Sequence, residues 1–316
     1  MGRYVLRRVL QVVPALFVTS IIVFLMLHLT PGDPAYAILG LDATPQAIAA
    51  LRTRMGFDQP LAVQYALWLK QLLHGDLGES FVSGSPVWTL IWMKFPATVE
   101  LSTSALLIAI LIALPGGLLS ALRHKSGVDY TVTGFNAVAL SVPTFWLGIL
   151  LVMGVSLRLG WLPPSDRVPF LENPLGSLRH LLLPAVTLGI PISAALSRFL
   201  RTAVLEVINR EYVRTARAKG LHESAILYRH ALRNALIPVV TALGILMGQL
   251  LGGSVVVETV FDWPGLGRLM LISVLNKDFT VVQGTILFVV VIFVTINLLT
   301  DTLYAFLDPR VRYTNH

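Results

Sequence analysis

Six long apolar stretches constrain the fold of this chain more than any other feature of its sequence. They lie at residues 9–29, 98–119, 132–157, 181–200, 236–257 and 284–306, and each is about as long as a helix that crosses the roughly 30 Å core of a bilayer. Hydrophobic residues make up 55% of the 316 residues, more than is usual for a soluble domain. The pattern predicts an all-α polytopic membrane protein with six transmembrane helices.

The distribution of Lys and Arg predicts the orientation of these helices. With the N-terminus inside, the cytoplasmic segments 1–8, 120–131, 201–235 and 307–316 hold 14 of the 24 Lys and Arg residues. The outside segments 30–97, 158–180 and 258–283 hold 9 over a greater length. Cytoplasmic loops carry the excess of positive charge, so we expect both termini in the cytoplasm. The net charge of +7 is then explained by the positive cytoplasmic loops and their contact with anionic lipid headgroups of the bilayer. We therefore expect no nucleic acid as a partner.

The spans divide the chain into four parts. Residues 1–29 are interpreted as an N-terminal tail with the first transmembrane helix, 98–306 as a five-helix core, and 307–316 as a cytoplasmic tail. Residues 30–97 predict a small extracytoplasmic helical subdomain, in which Pro45 and Pro60 occupy the first turns of two short helices. This subdomain is either a lid on the outer membrane surface or a landing surface for an external protein.

A basic segment separates the fourth and fifth apolar stretches. Seven Lys and Arg residues lie between Arg201 and Arg233, although only 13% of the chain is charged. Residues 211–238 have a largely helical pattern that is interrupted at Gly220, where a glycine either ends a helix with a positive φ or permits close backbone approach. Ala216 and Ala218 keep this helix thin, and Arg214, Arg217 and Lys219 make it cationic. We interpret the segment as a docking element, the alternative being an amphipathic helix held by anionic lipid.

The fifth apolar stretch carries glycines at intervals of four. Gly244, Gly248 and Gly252 form a ridge on one face of the predicted helix, and such ridges let a second helix approach closely. Gln249 lies beside this ridge and needs either a hydrogen-bond partner on another helix or a place along a wet transport path. The pattern leaves open whether the packed neighbour belongs to this chain or to another subunit.

The sequence lacks the motifs of the catalytic classes that we considered. It contains no cysteine, no G-x-x-x-x-G-K-[ST] phosphate loop and no G-x-S-x-G elbow. The HESAI run at 222–226 departs from the H-E-x-x-H zinc motif because Ile226 occupies the place of the second histidine. We therefore expect a chain that is not an enzyme, with no metal or cofactor of its own, whose energy comes from a partner.

Several motifs together resemble the permease subunits of ABC importers, in the branch that transports dipeptides and oligopeptides and that includes nickel and glutathione systems. The resemblance covers nearly the whole chain. It is carried by the opening YVLRRVLQVVPALFVTSIIVFLMLHLTPGDP, by LGES, GWLPPS, LLLPAVTLG, YVRTARAKGL and HALRNALIPVVT, and by GGSVVVETVFDWPGLGRLM and the tail DPRVRY. It implies the type I importer permease fold, a second homologous permease, two ABC ATPase subunits that hold ATP and Mg, and an extracytoplasmic solute-binding protein.

Within this resemblance, the basic segment corresponds to the coupling helix that contacts an ATPase subunit. The general importer signature reads E-A-A-x3-G-x9-I-x-L-P. Aligned on Gly220, the chain has Arg214 in place of the glutamate, and it also departs from the pattern at Thr215, His230 and Arg233. The resemblance implies that residues 211–233 couple the chain to the ATPase, through Tyr212, Arg214, Ala216, Lys219, Gly220 and Leu221. The role of the missing glutamate does not transfer to Arg214.

The outer loop, residues 258–283, is the second candidate contact. Its first part has the exposed-looking aromatic residues Phe261 and Trp263, followed by Pro264. Trp at a membrane boundary is often an interfacial anchor. The alternative is a contact with the binding protein or a gate at the outer mouth, and the acidic residues Glu258 and Asp262 favour a protein contact.

The leading hypothesis is therefore a permease subunit of an ATP-driven importer of dipeptides or oligopeptides. A nickel or glutathione substrate stays open within the same family. A self-sufficient secondary carrier is the hypothesis from another class. It is disfavoured because the few ionisable residues in the spans lie near the ends, whereas such carriers keep them near the midplane.

Overall fold

The computed structural model describes residues 2–29, 44–55, 58–220, 222 and 232–307, which form eleven α-helices and one π-helical stretch. The helices are α1 (Gly2–Leu29), α2 (Pro45–Met55), α3 (Leu61–Leu73), α4 (Val87–Leu122), α5 (Gly127–Ser141), α6 (Thr144–Leu151), α7 (Pro174–Ile208), α8 (Glu211–Ala218), α9 (Arg233–Val260), α10 (Leu266–Leu275) and α11 (Phe279–Leu307). The π-helical stretch, Val152–Arg158, continues α6. The described residues contain no β-strand, as the all-α prediction requires.

Within the described part of the chain, three helices are long and apolar enough to cross a membrane, namely α4, α7 and the Phe279–Thr302 part of α11. The bent pair formed by α5 and the α6–π stretch makes a fourth when its two halves are counted as one span. Among the described residues, the apolar parts of α1 and α9 are shorter, at Leu10–Met26 and Asn234–Gly248. The protein is thus a multi-pass helical membrane protein. The count of six spans remains a prediction.

The third predicted span is not one straight helix. α5 and the following helix meet at a bend of 100° around Val142 and Pro143. Proline lacks the backbone N–H and disfavours helical geometry in the residue before it. Val142 accordingly has an extended backbone, with ψ of 122°. Hydropathy alone passed over this break because the residues on both sides of it are apolar.

The chain divides into two compact units. The first holds the described residues within 97–264 and 295–307, and the second holds those within 2–96 and 265–294. The basic segment, the glycine ridge and the 258–264 part of the outer loop lie in residues of the first unit, whereas residues 265–283 of that loop belong to the second.

A stripe of small residues on α4 builds the core of the first unit. Ala97, Ala105, Ala109 and Ala113 recur at intervals of four or eight and are fully buried. Farther along the same stripe, a Cβ built at Gly117 would lie 2.7 Å from the backbone oxygen of Ser197 on α7. Small side chains let two helix backbones approach closely. The stripe on α4 therefore fixes how closely this helix packs against α7.

The second unit holds the short helices that the sequence predicted between residues 30 and 97. α2 begins at Pro45, and α3 begins one residue after Pro60. On α3, Tyr65 and Trp68 pack against Phe24 of α1, and the Tyr65 hydroxyl is hydrogen-bonded to Ser20 at 2.8 Å. α3 is thus attached to the first long helix of the chain.

A short loop of the second unit is held by a buried carboxylate. Asp278 precedes α11 and accepts hydrogen bonds from the Ser80 hydroxyl and the Phe81 backbone N–H. Ser80 belongs to the LGES motif, so this motif has a structural role in anchoring the loop.

Candidate functional site

α8 forms the centre of the basic segment, and its two sides differ in character. Val213 and Ala216 are buried within the chain. Arg214 and Lys219 are exposed, and Tyr212 is partly exposed at 41%. The apolar side of this short amphipathic helix therefore faces the protein, and its cationic side faces outward.

Gly220 ends α8 with a left-handed backbone. Its φ is +78°, and its N–H donates to the carbonyl of Arg217 at 2.9 Å, as in a C-terminal helix cap. No described atom lies within 4 Å of a Cβ built at this position. The glycine is thus required by backbone conformation, which is one of the two uses predicted for it. Close approach to another part of the described chain is not needed.

The polar contacts at the N-terminal side of α8 include an ion pair and a hydrogen bond. Arg210, which precedes the helix, donates to the carboxylate of Glu206 at 2.7 Å. Asn234, at the start of α9, donates to the Tyr212 hydroxyl at 3.0 Å. Tyr212 therefore links α8 to the start of α9. Leu221, the remaining residue of the predicted contact, lies outside the described residues.

A buried ion pair lies on the helices that lead to α8. Asp129, in the first turn of α5, accepts from Nε of Arg201 on α7 at 2.8 Å and from the second guanidinium nitrogen at 2.9 Å. The Ser120 hydroxyl and the Lys125 backbone N–H also donate to this carboxylate, whose side chain is only 4% exposed. The network ties α4, α5 and α7 together. The sequence prediction passed over it, although an arginine at the end of one span and an aspartate at the start of another are a usable signal.

The sequence predicted exposed aromatic residues in the first part of the outer loop, and this prediction is wrong. Phe261 is 1% exposed and Trp263 is 0% exposed, and Glu258 is also fully buried. The Trp263 indole N–H donates to the carbonyl of Ala97 at 2.8 Å, and the Thr98 hydroxyl donates to Glu258 at 2.9 Å. The side chains of Glu258, Phe261 and Trp263 therefore build the core of the first unit, and neither an interfacial anchor nor an exposed contact describes them.

The end of α9 explains why Trp263 turns inward. The N–H of Trp263 donates to the Glu258 carbonyl at 2.8 Å, and the N–H of Asp262 donates to the Thr259 carbonyl at 3.4 Å. Asp262 has a φ of +53°. These are the features of a Schellman motif, in which the residue after the left-handed position packs back on the helix. Pro264, which follows, is only partly buried, so a contact of this residue with another protein remains a prediction.

A second polar cluster covers the buried loop. Arg167 pairs with Glu100 of α4 at 2.8 Å and lies 6.0 Å from the ring centre of Trp263. The Ser177 hydroxyl also donates to Glu100, at 3.0 Å. The cluster joins α4, α7 and the 258–264 residues on one side of the first unit.

The glycine ridge of α9 divides between two environments. A Cβ at Gly244 would lie 2.7 Å from Thr300, so this glycine packs against α11 of the same chain. Gly252 is exposed, and no described atom lies within 4 Å of a Cβ built there. Gly248 is half-buried, and the side chain of Gln249 lies outside the described residues. One neighbour of the ridge is thus within this chain, and a neighbour at Gly252 from another subunit remains a prediction.

In the described part of the chain, no three His, Cys, Asp or Glu residues form a group that could hold a metal ion. The polar groups that do cluster, around Asp129 and Glu100, are instead paired with Arg201 and Arg167. Their chemistry is that of structural links between helices.

Comparison with known proteins identifies the family. Residues 113–313 match the model of the binding-protein-dependent transport system inner membrane component, and residues 1–102 match the N-terminal model of the same system. The chain belongs to this family of transport permeases. It is an ABC importer permease of the peptide branch, as the sequence motifs predicted, and the ATPase activity in this family lies with partner subunits.

Relatives match the chain over nearly its full length. A peptide transport system permease of Brucella abortus (strain 2308) is 44% identical over 99% of this chain and 100% of that protein. The dipeptide transport system permease DppB of Alkalihalophilus pseudofirmus is 40% identical over 98% and 99% of the two chains. The glutathione transport system permease GsiC of Escherichia coli O6:H1 is 41% identical over 99% and 100%.

Solved structures support the same fold. The MetNI methionine ABC transporter, in an inward-facing crystal form, matches with a TM-score of 0.59 over 69% of this chain and 96% of that chain, at 19% identity. An amino acid ABC transporter matches with a TM-score of 0.50 over 70% and 94%, at 17% identity. At these identities the likeness concerns the fold alone.

Proposed function

We propose that this permease forms half of a transmembrane path for dipeptides or oligopeptides and that the other half is a second, homologous permease. The observation that carries the proposal is the full-length similarity to peptide and dipeptide permeases. Both termini lie in the cytoplasm, the chain crosses the membrane six times, and an extracytoplasmic binding protein delivers the solute. Two ABC ATPase subunits bind ATP and Mg and supply the energy.

α8 couples the path to the ATPase subunits. Its position between the long helices α7 and α9 supports this role, because a helix attached to both can transmit a push to both. The Tyr212–Asn234 hydrogen bond and the Arg210–Glu206 ion pair give it two attachments. ATP-driven closure of the ATPase pair then moves α8 as a lever, and the path changes from inward-facing to outward-facing by rigid-body motion.

The assembly itself provides the first test. The chain is co-expressed with any ATPase, permease and binding-protein genes found in its genomic neighbourhood, and the mass of the purified complex is measured by native mass spectrometry. We expect one copy of this chain, one second permease and two ATPase subunits. Addition of the binding protein with a dipeptide should raise ATP hydrolysis several-fold. A chain that purifies alone and takes up solute in an ion gradient would be a secondary carrier, which contradicts the proposal.

The glutathione permease relative favours a second substrate, because glutathione is itself a small peptide. Calorimetric titration of the cognate binding protein separates the two, since the binding protein selects the solute in such systems. Binding of dialanine or a pentapeptide with glutathione inactive supports the leading proposal. Binding of glutathione alone assigns the second substrate.

A further inference from the structure

We propose that the break between α5 and α6, at Val142 and Pro143, is a binding site that holds the amino end and main chain of a peptide on its way through the membrane. This inference rests on the proposed function and adds to it the residues that contact the solute. The site consists of backbone carbonyls at the end of α5 and of a mostly apolar cavity beside them.

The break lies well inside the membrane-spanning part of the chain. Val142 comes ten residues after Val132, where the third apolar stretch begins. Ten helical residues correspond to about 15 Å, or half of a hydrocarbon core of roughly 30 Å. The bend of 100° therefore falls at a depth where a polar backbone group has no water unless the protein provides a wet cavity.

The bend leaves carbonyl groups of α5 without backbone donors. Pro143 has no N–H that could donate to the carbonyl of Ala139. After the bend, no following N–H reaches the carbonyls of Leu140 and Ser141, and no other group in the described part of the chain donates to these three oxygens. Unpaired carbonyls at this depth are tolerated where they are covered by protein or line a water-filled cavity.

A cavity lies at this break and is open to the surroundings of the chain. Its volume is about 610 Å³, which is within the usual range for pockets that bind small ligands. Among its lining residues, Phe145 and Trp146 of α6 are about half exposed, and Val138 of α5 is 63% exposed. Ser141 also lines the cavity and is exposed. The unpaired carbonyls thus lie next to apolar and aromatic walls.

Packing of α6 holds these walls in place. A Cβ built at Gly148 would lie 3.1 Å from the ring of Phe261 and 3.4 Å from the side chain of Thr187. The Gly148 side of α6 is therefore packed against α7 and the end of α9, while Phe145 and Trp146 stay exposed at the cavity. A site built on packed helices keeps its geometry better than a site on a loop.

A peptide fits this combination of groups better than a lipid chain or a helix of the second permease. An acyl chain has no donor for the carbonyls, and a second helix already uses its own backbone N–H groups. A peptide supplies an ammonium group and N–H donors for the carbonyls, and its side chains contact Phe145 and Trp146. The carbonyl end of a broken helix attracts positive charge, which favours the ammonium group. Hydrogen bonds to the main chain also suit peptides whose side chains differ.

The absence of cysteine from the chain makes the site accessible to thiol labelling. Ser141→Cys places a thiol at the break, and Leu111→Cys places one at a comparable depth on α4, where the side chain is 72% exposed. Each variant is assembled with cysteine-free partner subunits in nanodiscs and treated with a charged thiol reagent. Because the reagent and the reactive thiolate require water, we expect Ser141→Cys to react about tenfold or more faster than Leu111→Cys.

Dipeptides then test the ligand. Dialanine at millimolar concentration should slow the labelling of Ser141→Cys about threefold or more, as expected for a site of millimolar affinity. N-acetyl-dialanine lacks the ammonium group and should protect less. In the Ser141→Cys background, Trp146→Ala should reduce protection by dileucine more than protection by diglycine. Trp161→Ala, at a residue that is 66% exposed and outside the cavity, should leave both unchanged.

Uptake by the wild-type complex distinguishes failure of this inference from failure of the proposed function. If the wild type takes up no dialanine with ATP and the binding protein, the proposed function fails. If it does, and Ser141→Cys reacts no faster than Leu111→Cys, the break faces lipid or the second permease and the inference is overturned. Fast labelling that no dipeptide slows would also overturn it, because the break would then line water without holding a peptide. Equal protection by N-acetyl-dialanine would contradict the binding of the ammonium group.

Discussion

Backbone conformation decides the role of Gly220 at the scale of single residues. A left-handed φ costs most side chains about 1–2 kcal/mol, whereas asparagine tolerates it better. We therefore expect Gly220→Val to distort the end of α8 and to lower solute uptake per ATP hydrolysed. Gly220→Asn should keep most of the coupling, although its side chain is larger than a hydrogen atom. The measurement is the uptake-to-hydrolysis ratio in proteoliposomes.

The comparison also separates backbone from bulk. Because no described atom lies near the Gly220 Cβ position, size alone should matter only against a bound partner. Equal loss with valine and asparagine would show that the partner surface, rather than the φ angle, requires a glycine.

Burial decides the role of Trp263. Its ring is fully buried, whereas Trp161 of the same unit is 66% exposed. We expect Trp263→Ala to lower the free energy of unfolding by about 3–5 kcal/mol, because a large buried side chain leaves a cavity and its hydrogen bond to Ala97 is lost. Trp161→Ala should change it by about 0.5 kcal/mol or less in detergent. Thermal unfolding of the purified permease measures both, and similar shifts for the two variants would contradict the burial of Trp263.

The sequence predicted the helix end at Gly220 correctly and the exposure of Trp263 incorrectly. The reason is physical. A glycine after a helical run indicates a helix end from local chemistry alone. The burial of Trp263 depends on Ala97, which lies 166 positions away along the chain. In a chain that is mostly apolar, the residues around a loop aromatic are similar whether its ring faces lipid, water or protein. The local sequence therefore does not distinguish these environments.

Close packing of α4 against α7 is the main feature at the scale of elements. A Cβ at Gly117 would meet the Ser197 backbone oxygen at 2.7 Å, whereas a Cβ at Gly134 of α5 has no described neighbour within 4 Å. We expect Gly117→Ala to destabilise the permease by about 1–3 kcal/mol through overpacking. Gly134→Ala should leave stability unchanged or raise it by up to about 1 kcal/mol, since alanine favours the helix.

Thermal unfolding of the two glycine variants in the same detergent checks this prediction. Both variants add the same methyl group to a helix, so the difference between them reports the neighbour and not the residue type. A Gly117→Ala variant as stable as Gly134→Ala would mean that α4 and α7 are farther apart than described.

Two ion pairs of the first unit contrast in the same way. The Asp129 side chain is 4% exposed, and it accepts two hydrogen bonds from Arg201. Glu206 is 67% exposed in its pair with Arg210. We expect Asp129→Ala to cost about 3–5 kcal/mol, because it leaves Arg201 without its buried partner. Glu206→Ala should cost about 0–1 kcal/mol. Chemical or thermal unfolding measures both, and equal costs would show that the Asp129 network contributes little.

At this scale the sequence predicted the positions of the long helices but not their breaks. Each of the six predicted spans lies within described helical residues, apart from the Val142–Pro143 break in the third. That break is caused by the backbone geometry of proline, to which an average of hydropathy is insensitive. The stripe on α4 was also passed over, because alanine is less conspicuous than the glycines of α9. Of these glycines, Gly244 packs against Thr300, whereas a Cβ built at Gly252 has no described neighbour within 4 Å.

For the whole molecule, most of the features described above belong to the first unit. The first unit carries α8, the buried Trp263 loop and both arginine–carboxylate networks. The family assignment rested on motifs spread over both units, and the family models match both parts of the sequence. The identity of the solute could not be predicted from the sequence, because the proposed function assigns the selection of the solute to a separate binding protein.

The most direct measurement of the central claim is uptake into proteoliposomes that hold the complete complex, with the binding protein and a labelled dipeptide outside and ATP enclosed. We expect accumulation that requires ATP, that stops with a hydrolysis-deficient ATPase subunit, and that is unaffected by ionophores which collapse ion gradients. Uptake by this chain without ATPase subunits, driven by a proton or sodium gradient, would contradict it.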